Sequence, residues 1–355
     1  MRVLQVVADG APGGGTTHIL QILRGLGSKL SLGVVTQDGS YLLNEVQGLD
    51  IPCFGVEFFR RRLAPEILFI LRRIVHELEP EVVHVHGGRA AFFCALAHLE
   101  VPIVYTVHGY HFLHKSAIMR GLALSAERLI SRHVQETVFV CEHDAQLAHT
   151  YDLSPYSRWN TVIYNGIALR RIPRALPGTH KHIGFIGRLV HQKDPFLFLD
   201  VLEHLPEYAA TIVGGGALED KVKAEIGQRG LPQVQVLGSL SHSETLEVLS
   251  GLHAVLMTSR WEGMPILPLE AMWSGVPVVA TNVGGLNEII EDGRSGLLVD
   301  GRSAQDLARA VVRVTEESAL RERIIENGRD RVRELFSEEQ MLSEICKVYY
   351  QVAKV

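Results

Sequence analysis

The stretch AVLMTSRWEGMPILPLEAMW (residues 254–273) combines a short apolar run, a loop rich in helix-breaking residues and an apolar helix. Gly263, Pro265 and Pro268 disfavour a helix before about Ile266, whereas the residues that follow favour one. A buried strand followed by a loop and a helix is the repeating unit of an α/β fold with a parallel sheet. The stretch therefore predicts one βα unit.

Two glutamates frame the loop of this unit. Glu262 is expected in the loop, and Glu270 about one turn inside the helix. In a continuous helix their carboxylates would lie about 12 Å apart along the axis, so a shared metal ion is not expected. In the loop-then-helix arrangement, free N–H groups at the helix start face an anion, with one carboxylate on either side. This pattern indicates a site for a diphosphate flanked by two hydroxyl-bearing rings.

The alternation of short apolar runs and amphipathic stretches extends over the whole chain of 355 residues, which is longer than a single core usually supports. Strands are predicted at 3–8, 32–36, 82–86, 103–107 and 137–141, and again at 183–186, 210–213, 234–237, 254–257 and 278–280. Two series of strands predict an α/β protein with two doubly wound, Rossmann-like domains that face each other across a cleft. Ligands of such sheets bind beyond the carboxyl ends of the strands.

The segment 170–180 contains proline and glycine without apolar periodicity, which is typical of a linker. The predicted domains are therefore 1–173 and 174–336. The last stretch, 337–355, has apolar residues at helical spacing and is predicted to rejoin the first domain as a helix. Capping of the second domain alone is the alternative.

Charge and cysteine usage exclude several classes of protein. The net charge is −5, and neither predicted domain has the basic excess of a nucleic-acid binder. The four cysteines are isolated and no secretory leader is evident, so a reducing cytoplasm is expected. The apolar run 3–8 is too short to span a membrane.

Candidate ligands for a diphosphate follow several strands. Arg188 and Lys193 lie in one strand-to-helix loop and can converge on a diphosphate, in place of a metal ion. Two solvated surface cations are the alternative, which the neighbouring glutamates disfavour. The glycine-rich turns at 13–15 and 214–216 could bring backbone close to a ligand, although tight turns alone would also explain them. Neither turn has the spacing of a dinucleotide fingerprint.

Histidines provide a weaker signal. His108 follows a predicted strand and can present its ring or carbonyl to the cleft, although most single histidines are structural. His84 and His86 alternate on another strand, but no third ligand lies at zinc spacing, so no metal site is predicted.

A cluster of arginines surrounds an apolar helix and indicates an anionic membrane surface or a lipid-linked phosphate as a partner. A core helix with a cationic outer face is the alternative. The arginines are Arg60, Arg61, Arg62, Arg72 and Arg73.

Together, these motifs resemble the retaining family-4 glycosyltransferases of GT-B fold over nearly the whole chain. The resemblance rests on residues 13–15, 108–109, 165–166, 187–189 with 193, 214–216, 259–270, 281–288, 292–293 and 296–299. One departure is Ala168, because members often carry aspartate two positions after the glycine of Asn165-Gly166.

The resemblance implies roles for individual residues. Arg188 and Lys193 would bind the donor diphosphate, Glu262 the donor sugar and phosphates, and His108 the sugar near the reacting centre; these four are the expected catalytic residues. Glu270 would bind the ribose. The implied donor-binding residues are Gly14, Gly15, Gly187, Gly214, Gly216, Gly263, Met264, Pro265, Ile266 and Glu270.

The implied activity is transfer of a hexose from a nucleoside diphosphate donor, expected to be UDP-linked, with retention of configuration. The acceptor would be a glycan or a polyprenyl-diphosphate-linked sugar, because residues 108–115 are similar to members that build bacterial capsule, exopolysaccharide or O-antigen. No metal or other cofactor is expected, and the enzyme would be cytoplasmic or peripheral on the inner membrane face. A sugar-nucleotide 2-epimerase, a nicotinamide dehydrogenase and a non-catalytic sugar-nucleotide-binding subunit are the alternatives.

Overall fold

The computed structural model describes residues 1–60, 64–114, 116–176 and 181–354. The chain divides into two compact units, of which the first comprises Met1–Asn165 with Glu338–Val355 and the second comprises Gly166–Ser337. The sequence placed this division after residue 173.

Part of the predicted linker is bound to the second unit. The carbonyl of Leu169 accepts a hydrogen bond from the Trp273 indole at 2.7 Å, and the carbonyl of Pro173 accepts one from the Ser274 hydroxyl at 2.7 Å. Residues 169–176 therefore belong to the second unit, and residues 177–180 lie outside the described residues.

The first unit contains a seven-stranded parallel sheet with the strand order β3-β2-β1-β4-β5-β6-β7. Its strands are β1 (Arg2–Val7), β2 (Ser31–Gln37), β3 (Cys53–Val56), β4 (Val82–His86), β5 (Ile103–Val107), β6 (Glu136–Phe139) and β7 (Trp159–Val162). Its helices are α1 (Gly14–Leu26), α2 (Tyr41–Gln47), α3 (Pro65–Leu78), α4 (Gly88–Leu96), α5 (Ala117–Ser131) and α6 (Glu142–Tyr151), with a 3-10 helix at His111–His114.

The second unit contains a six-stranded parallel sheet with the strand order β10-β9-β8-β11-β12-β13. Its strands are β8 (His182–Ile186), β9 (Ala209–Val213), β10 (Val234–Gly238), β11 (Ala254–Met257), β12 (Val278–Thr281) and β13 (Leu297–Val299). Its helices are α7 (Pro195–Glu203), α8 (Glu219–Arg229), α9 (His242–Ser250), α10 (Leu267–Ser274), α11 (Leu286–Ile289), α12 (Ala304–Glu316) and α13 (Ser318–Leu335), with a 3-10 helix at Leu169–Arg171. The last helix of the chain, α14 (Glu338–Val352), belongs to the first unit.

The first sheet is buried on both faces. Successive residues of β1 alternate between two apolar clusters, because side chains of a strand point to opposite faces. Leu4 and Val6 belong to one cluster, and Val3 and Val7 to the other. The second cluster also contains Tyr349 of α14, which is fully buried. The C-terminal helix therefore completes a face of the first sheet.

The predicted strands are found in the structure, and β4, β5 and β11 have the predicted bounds. The predicted class, two doubly wound parallel α/β units, is confirmed. The sequence missed β3, β7 and β13, which are all edge strands. Each is short and in contact with a single neighbour, so its pattern contains fewer buried apolar residues than that of a central strand.

The arginine-flanked helix is α3. Ile67, Leu71 and Ile74 are buried on its inner face, whereas Phe69 is 68% exposed. Arg72 is exposed but donates to the carbonyl of Ala97 at 2.6 Å. Within the described ranges, no helix is both long and apolar enough to cross a membrane.

The other predicted arginines have different outcomes. Arg73 lies on the exposed face of α3, and Arg60 pairs with Glu57 at 3.7 Å. Arg61 and Arg62 lie outside the described residues.

A carboxyl group of α5 is held inside the first unit. Tyr105 of β5 donates a hydrogen bond to the carboxylate of Glu127 at 3.2 Å. Burial raises the pKa of Glu127 to about 7, and the hydrogen bond from Tyr105 opposes this only partly. Because the pKa of an unfolded glutamate is about 4.5, ionisation of this carboxyl group costs folding free energy.

We expect Glu127→Gln to reduce the pH dependence of stability. The folded-state pKa is raised, so the contribution of Glu127 is fully present below about pH 4.5 and is lost as the pH rises through about 7. Between pH 4.5 and 8 the free energy of unfolding of the wild type should therefore fall by about 2 kcal/mol, a value that allows for partial contact of the carboxyl group with water. The free energy of unfolding of Glu127→Gln should not show this decrease. Denaturant unfolding at both pH values measures this difference. The exposed Glu77→Gln is the control, and an identical pH dependence in Glu127→Gln and wild type would contradict the assignment.

Candidate functional site

Two loops of the second unit follow neighbouring strands. Strands β8 and β11 are adjacent, and the chain leaves them toward opposite edges of the sheet. The loops beyond the carboxyl ends of such strands border the crevice in which doubly wound sheets bind ligands. The loop after β8 carries Arg188 and Lys193, and the loop after β11 carries Glu262.

Lys193 and Glu262 form an ion pair between these loops. The Lys193 ammonium donates to Oε1 of Glu262 at 2.5 Å, and the Ser259 hydroxyl donates to the same oxygen at 2.5 Å. Glu262 is only 8% exposed. Arg188, by contrast, is exposed, and its guanidinium has no carboxylate partner among the described residues. One cation is therefore held in a defined position, and a second is available to a ligand.

Asp194 fixes the same two loops and was not singled out from the sequence. Its buried carboxylate accepts a hydrogen bond from Arg260 at 2.6 Å and another from Arg302. The Thr258 hydroxyl donates to the carbonyl of Asp194 at 2.8 Å. The sequence did contain one possible signal for Asp194. It follows Lys193 and precedes a proline at a helix start, and aspartate is common before the first turn of a helix. Arg302 is too distant in sequence to be associated with it.

The glycines after β9 have a structural explanation. Gly214 has a φ of +129°, and a Cβ atom there would lie 2.1 Å from the carbonyl oxygen of Gly187. A Cβ on Gly216 would lie 2.6 Å from the carbonyl oxygen of Leu189. These glycines allow the loop after β9 to pack directly against the loop that carries Arg188.

The helix after Glu262 begins where the sequence predicted. Helix α10 starts at Leu267 and includes Glu270 in its first turn, so the loop-then-helix arrangement is confirmed. The side chains of Met264 and Ile266 are buried. Their backbone, rather than their side chains, is therefore the part available to a ligand.

Glu270 is oriented by a histidine that the sequence did not indicate. Glu270 is 7% exposed, and its Oε1 lies 2.7 Å from Nε2 of His242. His242 begins α9, which precedes β11 in the chain. Sequence spacing gave no reason to associate it with α10.

The loop after β12 supports the Glu262 loop. Gly285 donates its N–H to the carbonyl of Gly263 at 3.1 Å. Gly284 has a φ of +55°, and a Cβ atom there would lie 1.9 Å from the carbonyl oxygen of Glu262. Any side chain at this position would displace the backbone that carries the Glu262 carboxylate.

We expect Gly284→Ala to impair ligand binding more than it impairs folding. The matched control is Gly293→Ala, which also has a left-handed φ of +70° but has no heavy atom within 4 Å of the added Cβ. Both variants should lose about 1 kcal/mol of stability through backbone strain, and Gly284→Ala should lose more because its Cβ overlaps the carbonyl oxygen of Glu262. Only Gly284→Ala should also weaken binding of UDP, the nucleotide that the sequence resemblance leads us to expect, by about tenfold or more, because it shifts the Glu262 loop. Calorimetric titration of UDP would measure this, and equal affinities in the two variants would contradict the proposed support.

The first unit carries a separate group of predicted site residues. Gly14 and Gly15 form the start of α1, where backbone N–H groups lack helical acceptors. A Cβ on Gly15 would lie 3.8 Å from the ring of His108, so this helix start and His108 are neighbours. His108 follows β5 and is half-buried.

His108 is attached to a buried chain of hydrogen bonds. Its Nε2 lies 3.2 Å from Nδ1 of His86, and Nε2 of His86 lies 2.9 Å from Oε1 of Gln5. The Gln5 amide donates to the Tyr349 hydroxyl at 3.1 Å, and that hydroxyl lies 2.6 Å from Nδ1 of His84. Because an amide oxygen only accepts, Nε2 of His86 carries the proton, and Nδ1 of His86 accepts from His108.

A fourth histidine completes this group. Nδ1 of His18 lies 3.1 Å from Oδ1 of Asn165. Burial lowers the pKa of His18 to about 4, which the hydrogen bond to Asn165 opposes. Burial also holds the pKa values of His84 and His86 well below 6.5, and the neighbouring histidines add to the effect. These buried rings are therefore neutral near pH 7.

Comparison with known proteins identifies the class and then the family. Residues 12–171 match the sequence model of Glycosyltransferase Family 4, and residues 169–331 match that of Glycosyl transferases group 1. The chain is 30% identical to a glycogen synthase of Mycobacterium tuberculosis over 76% of its own length and 68% of the relative. The protein is a glycosyltransferase. It belongs to the family that these two sequence models describe.

Two further comparisons are consistent with this family. An uncharacterized glycosyltransferase of Methanocaldococcus jannaschii is 29% identical over 54% of each chain, so the matched segment spans about half of that relative. The crystal structure of Anabaena HepE in complex with UDP-glucose has a TM-score of 0.85 and 20% identity, and the match covers 99% of this chain and 100% of that chain. The GT-B fold class predicted from the resemblance is confirmed.

Proposed function

We propose that this glycosyltransferase takes a sugar from a nucleoside diphosphate donor, UDP-linked, and transfers it with retention of configuration. The observation that supports the proposal most is the pairing of Lys193 with Glu262, beside the exposed Arg188 and the start of α10. Binding of UDP-glucose by the structurally similar HepE supports the choice of base.

The donor diphosphate would occupy the loops after β8 and β11. Arg188 would bind one phosphate through its planar guanidinium, and Lys193 would add a point charge whose position Glu262 fixes. The positive end of the α10 dipole and the N–H groups before it would bind the remaining phosphate oxygens. Glu270, oriented by His242, would accept hydrogen bonds from the ribose hydroxyls.

The chemistry would rest on orientation and charge stabilisation. Arg188 and Lys193 would stabilise the negative charge that develops on the departing diphosphate, so the reaction needs no metal ion at this position. The departing phosphate would take the proton of the acceptor hydroxyl while His108 contacts the donor sugar. Holding donor and acceptor in this geometry supplies much of the acceleration.

The acceptor would be a glycan or a polyprenyl-diphosphate-linked sugar of a cell-surface polysaccharide pathway. Gly14 and Gly15 would line the acceptor side, because the exposed helix start that they form lies beside His108. The protein would act in the cytoplasm or on the inner face of the membrane.

We expect Arg188→Ala, Lys193→Ala and Glu270→Ala each to lower turnover about 100-fold or more, because each removes a charge or hydrogen bond that holds the donor. Among the described residues, Arg188→Ala leaves no carboxylate partner unpaired, so we expect this variant to fold like wild type. Lys223→Ala is a matched control, because Lys223 pairs with Glu219 at 2.7 Å on the exposed face of α8. The assay incubates UDP-sugars with lipid-linked or glycan acceptors and identifies products by mass spectrometry.

Near-normal transfer by Lys193→Ala and Glu270→Ala would refute the site assignment. Conversion of the donor without any acceptor would instead identify a sugar-nucleotide epimerase.

We also propose that one face of the first unit contacts an anionic membrane. Phe69 and Arg73 are exposed on α3, and Ile118 and Leu122 are 79% and 59% exposed on α5. Helices α3 and α5 both pack against α4 and share one apolar cluster with it, so the helices that carry these side chains lie on the same side of the first sheet. Apolar side chains beside cations are typical of an interfacial surface.

We expect Phe69→Glu with Arg73→Glu to reduce co-sedimentation with phosphatidylglycerol vesicles by about tenfold, because one change removes an apolar contact and the other reverses a charge. Phosphatidylcholine vesicles should bind neither form. Lys221→Glu on the exposed face of α8 in the second unit is the control for reversal of one charge. Unchanged co-sedimentation of the double variant would exclude this surface.

A further inference from the structure

Three histidines of the first unit converge on one point. His18 comes from α1, His86 from β4 and His108 from the loop after β5. Each ring offers one nitrogen as a ligand atom, and these three nitrogens all lie within 4.8 Å of one another. This arrangement could not be predicted from the sequence, because the three residues lie on separate elements and only the sheet order brings them together.

His18 supplies a nitrogen whose hydrogen-bonding capacity is unused. His18 is 1% exposed. Its Nδ1 is engaged by Asn165, while its Nε2 is buried and has no hydrogen-bond partner among the residues that the structure describes. The Asn165 oxygen accepts from Nδ1, so the lone pair of His18 lies on Nε2. A buried lone pair without a donor calls for a ligand, since buried polar atoms are normally satisfied.

The surrounding residues orient the rings as in protein metal sites. The oxygen atoms of Asn165 and Gln5 accept from Nδ1 of His18 and Nε2 of His86, which places the lone pair of each ring on its opposite nitrogen. Nδ1 of His86 lies 3.2 Å from Nε2 of His108. Two nitrogens bound to tetrahedral zinc at about 2.0–2.1 Å are about 3.4 Å apart. A small movement of His18 would complete three ligands.

We propose that the first unit binds one divalent transition-metal ion of the Zn²⁺ class through His18 Nε2, His86 Nδ1 and His108 Nε2. The metal replaces the proton shared by His86 and His108, and that proton passes to Nδ1 of His108 or to solvent. Three imidazoles select zinc, cobalt, nickel or copper over magnesium or calcium, which prefer oxygen ligands. A fourth position is open to water, because His108 is half-buried rather than enclosed.

Metal binding would inhibit sugar transfer. This consequence rests on the proposed function, in which His108 contacts the donor sugar, because a metal-bound His108 is no longer available to the sugar. The binding itself does not depend on that role. Zinc binding without inhibition would therefore contradict only the role of His108.

The test is titration of the tag-free, chelator-treated full chain with Co²⁺ and Zn²⁺. We expect one equivalent of Co²⁺ to give the intense visible absorption of a four-coordinate site, which Zn²⁺ then abolishes. His18→Gln and His108→Gln should weaken binding at least about 100-fold, and Gln5→Leu about 10- to 100-fold, because Gln5 orients His86. Mg²⁺ should have no effect.

The matched control is His98→Asn. The ring of His98 lies edge-to-face with that of His133 in the same unit, with 4.8 Å between their centroids, and no third ligand lies near them among the described residues. Asparagine tolerates the left-handed φ of +46° at this position. This variant should bind like wild type. Circular dichroism and thermal unfolding of each variant without metal establish that it is folded. If His18→Gln fails to fold, His108→Gln still tests the site, because it removes the least buried of the three ligands. Binding that both ligand variants retain, or no four-coordinate spectrum with Co²⁺, would overturn the proposal.

Discussion

The ion pair between Lys193 and Glu262 is the interaction on which the site of the second unit depends. It joins the loops that follow the two central strands, and the carboxylate is almost completely buried. Removing either partner would leave a charge in a poorly solvated position, which costs far more than an exposed ion pair contributes. Asp194, through Arg260 and Arg302, adds further ion pairs that hold these loops. The loops are therefore fixed before any ligand arrives, as electrostatic stabilisation of a leaving group requires.

The first unit has polar side chains in the interior of its sheet. Its central strands carry histidines and a glutamine at positions where a doubly wound sheet usually has aliphatic side chains. These polar groups are satisfied by one another and by Tyr349 of the C-terminal helix. A buried polar chain of this kind is stable only when each of its members is paired. Among the described members of this group, Nε2 of His18 is the exception, and it points to a ligand.

The fold was largely readable from the sequence. Central parallel strands are buried on both faces and appear as short apolar runs, so their positions could be predicted closely. The edge strands β3, β7 and β13 are each in contact with a single neighbour and lack that signal, whereas the edge strand β10 retains enough apolar residues to be predicted. The start of α10 was also predictable, because glycine and proline act through local sterics. The packing of residues 169–176 on the second unit was not, because it depends on hydrogen bonds to Trp273 and Ser274, which are distant in the chain.

The sequence by itself determined the βα repeat, the candidate diphosphate ligands and the separation of Glu262 from Glu270, because these properties arise from local periodicity and from the chemistry of individual residues. The tertiary structure decided which residues meet. Pairing of Lys193 with Glu262 and convergence of His18, His86 and His108 require strands that are adjacent in the sheet but distant in the chain. Contact of His242 with Glu270 requires α9 to pack against α10. Strand order is set by packing over whole units, and no local pattern encodes it.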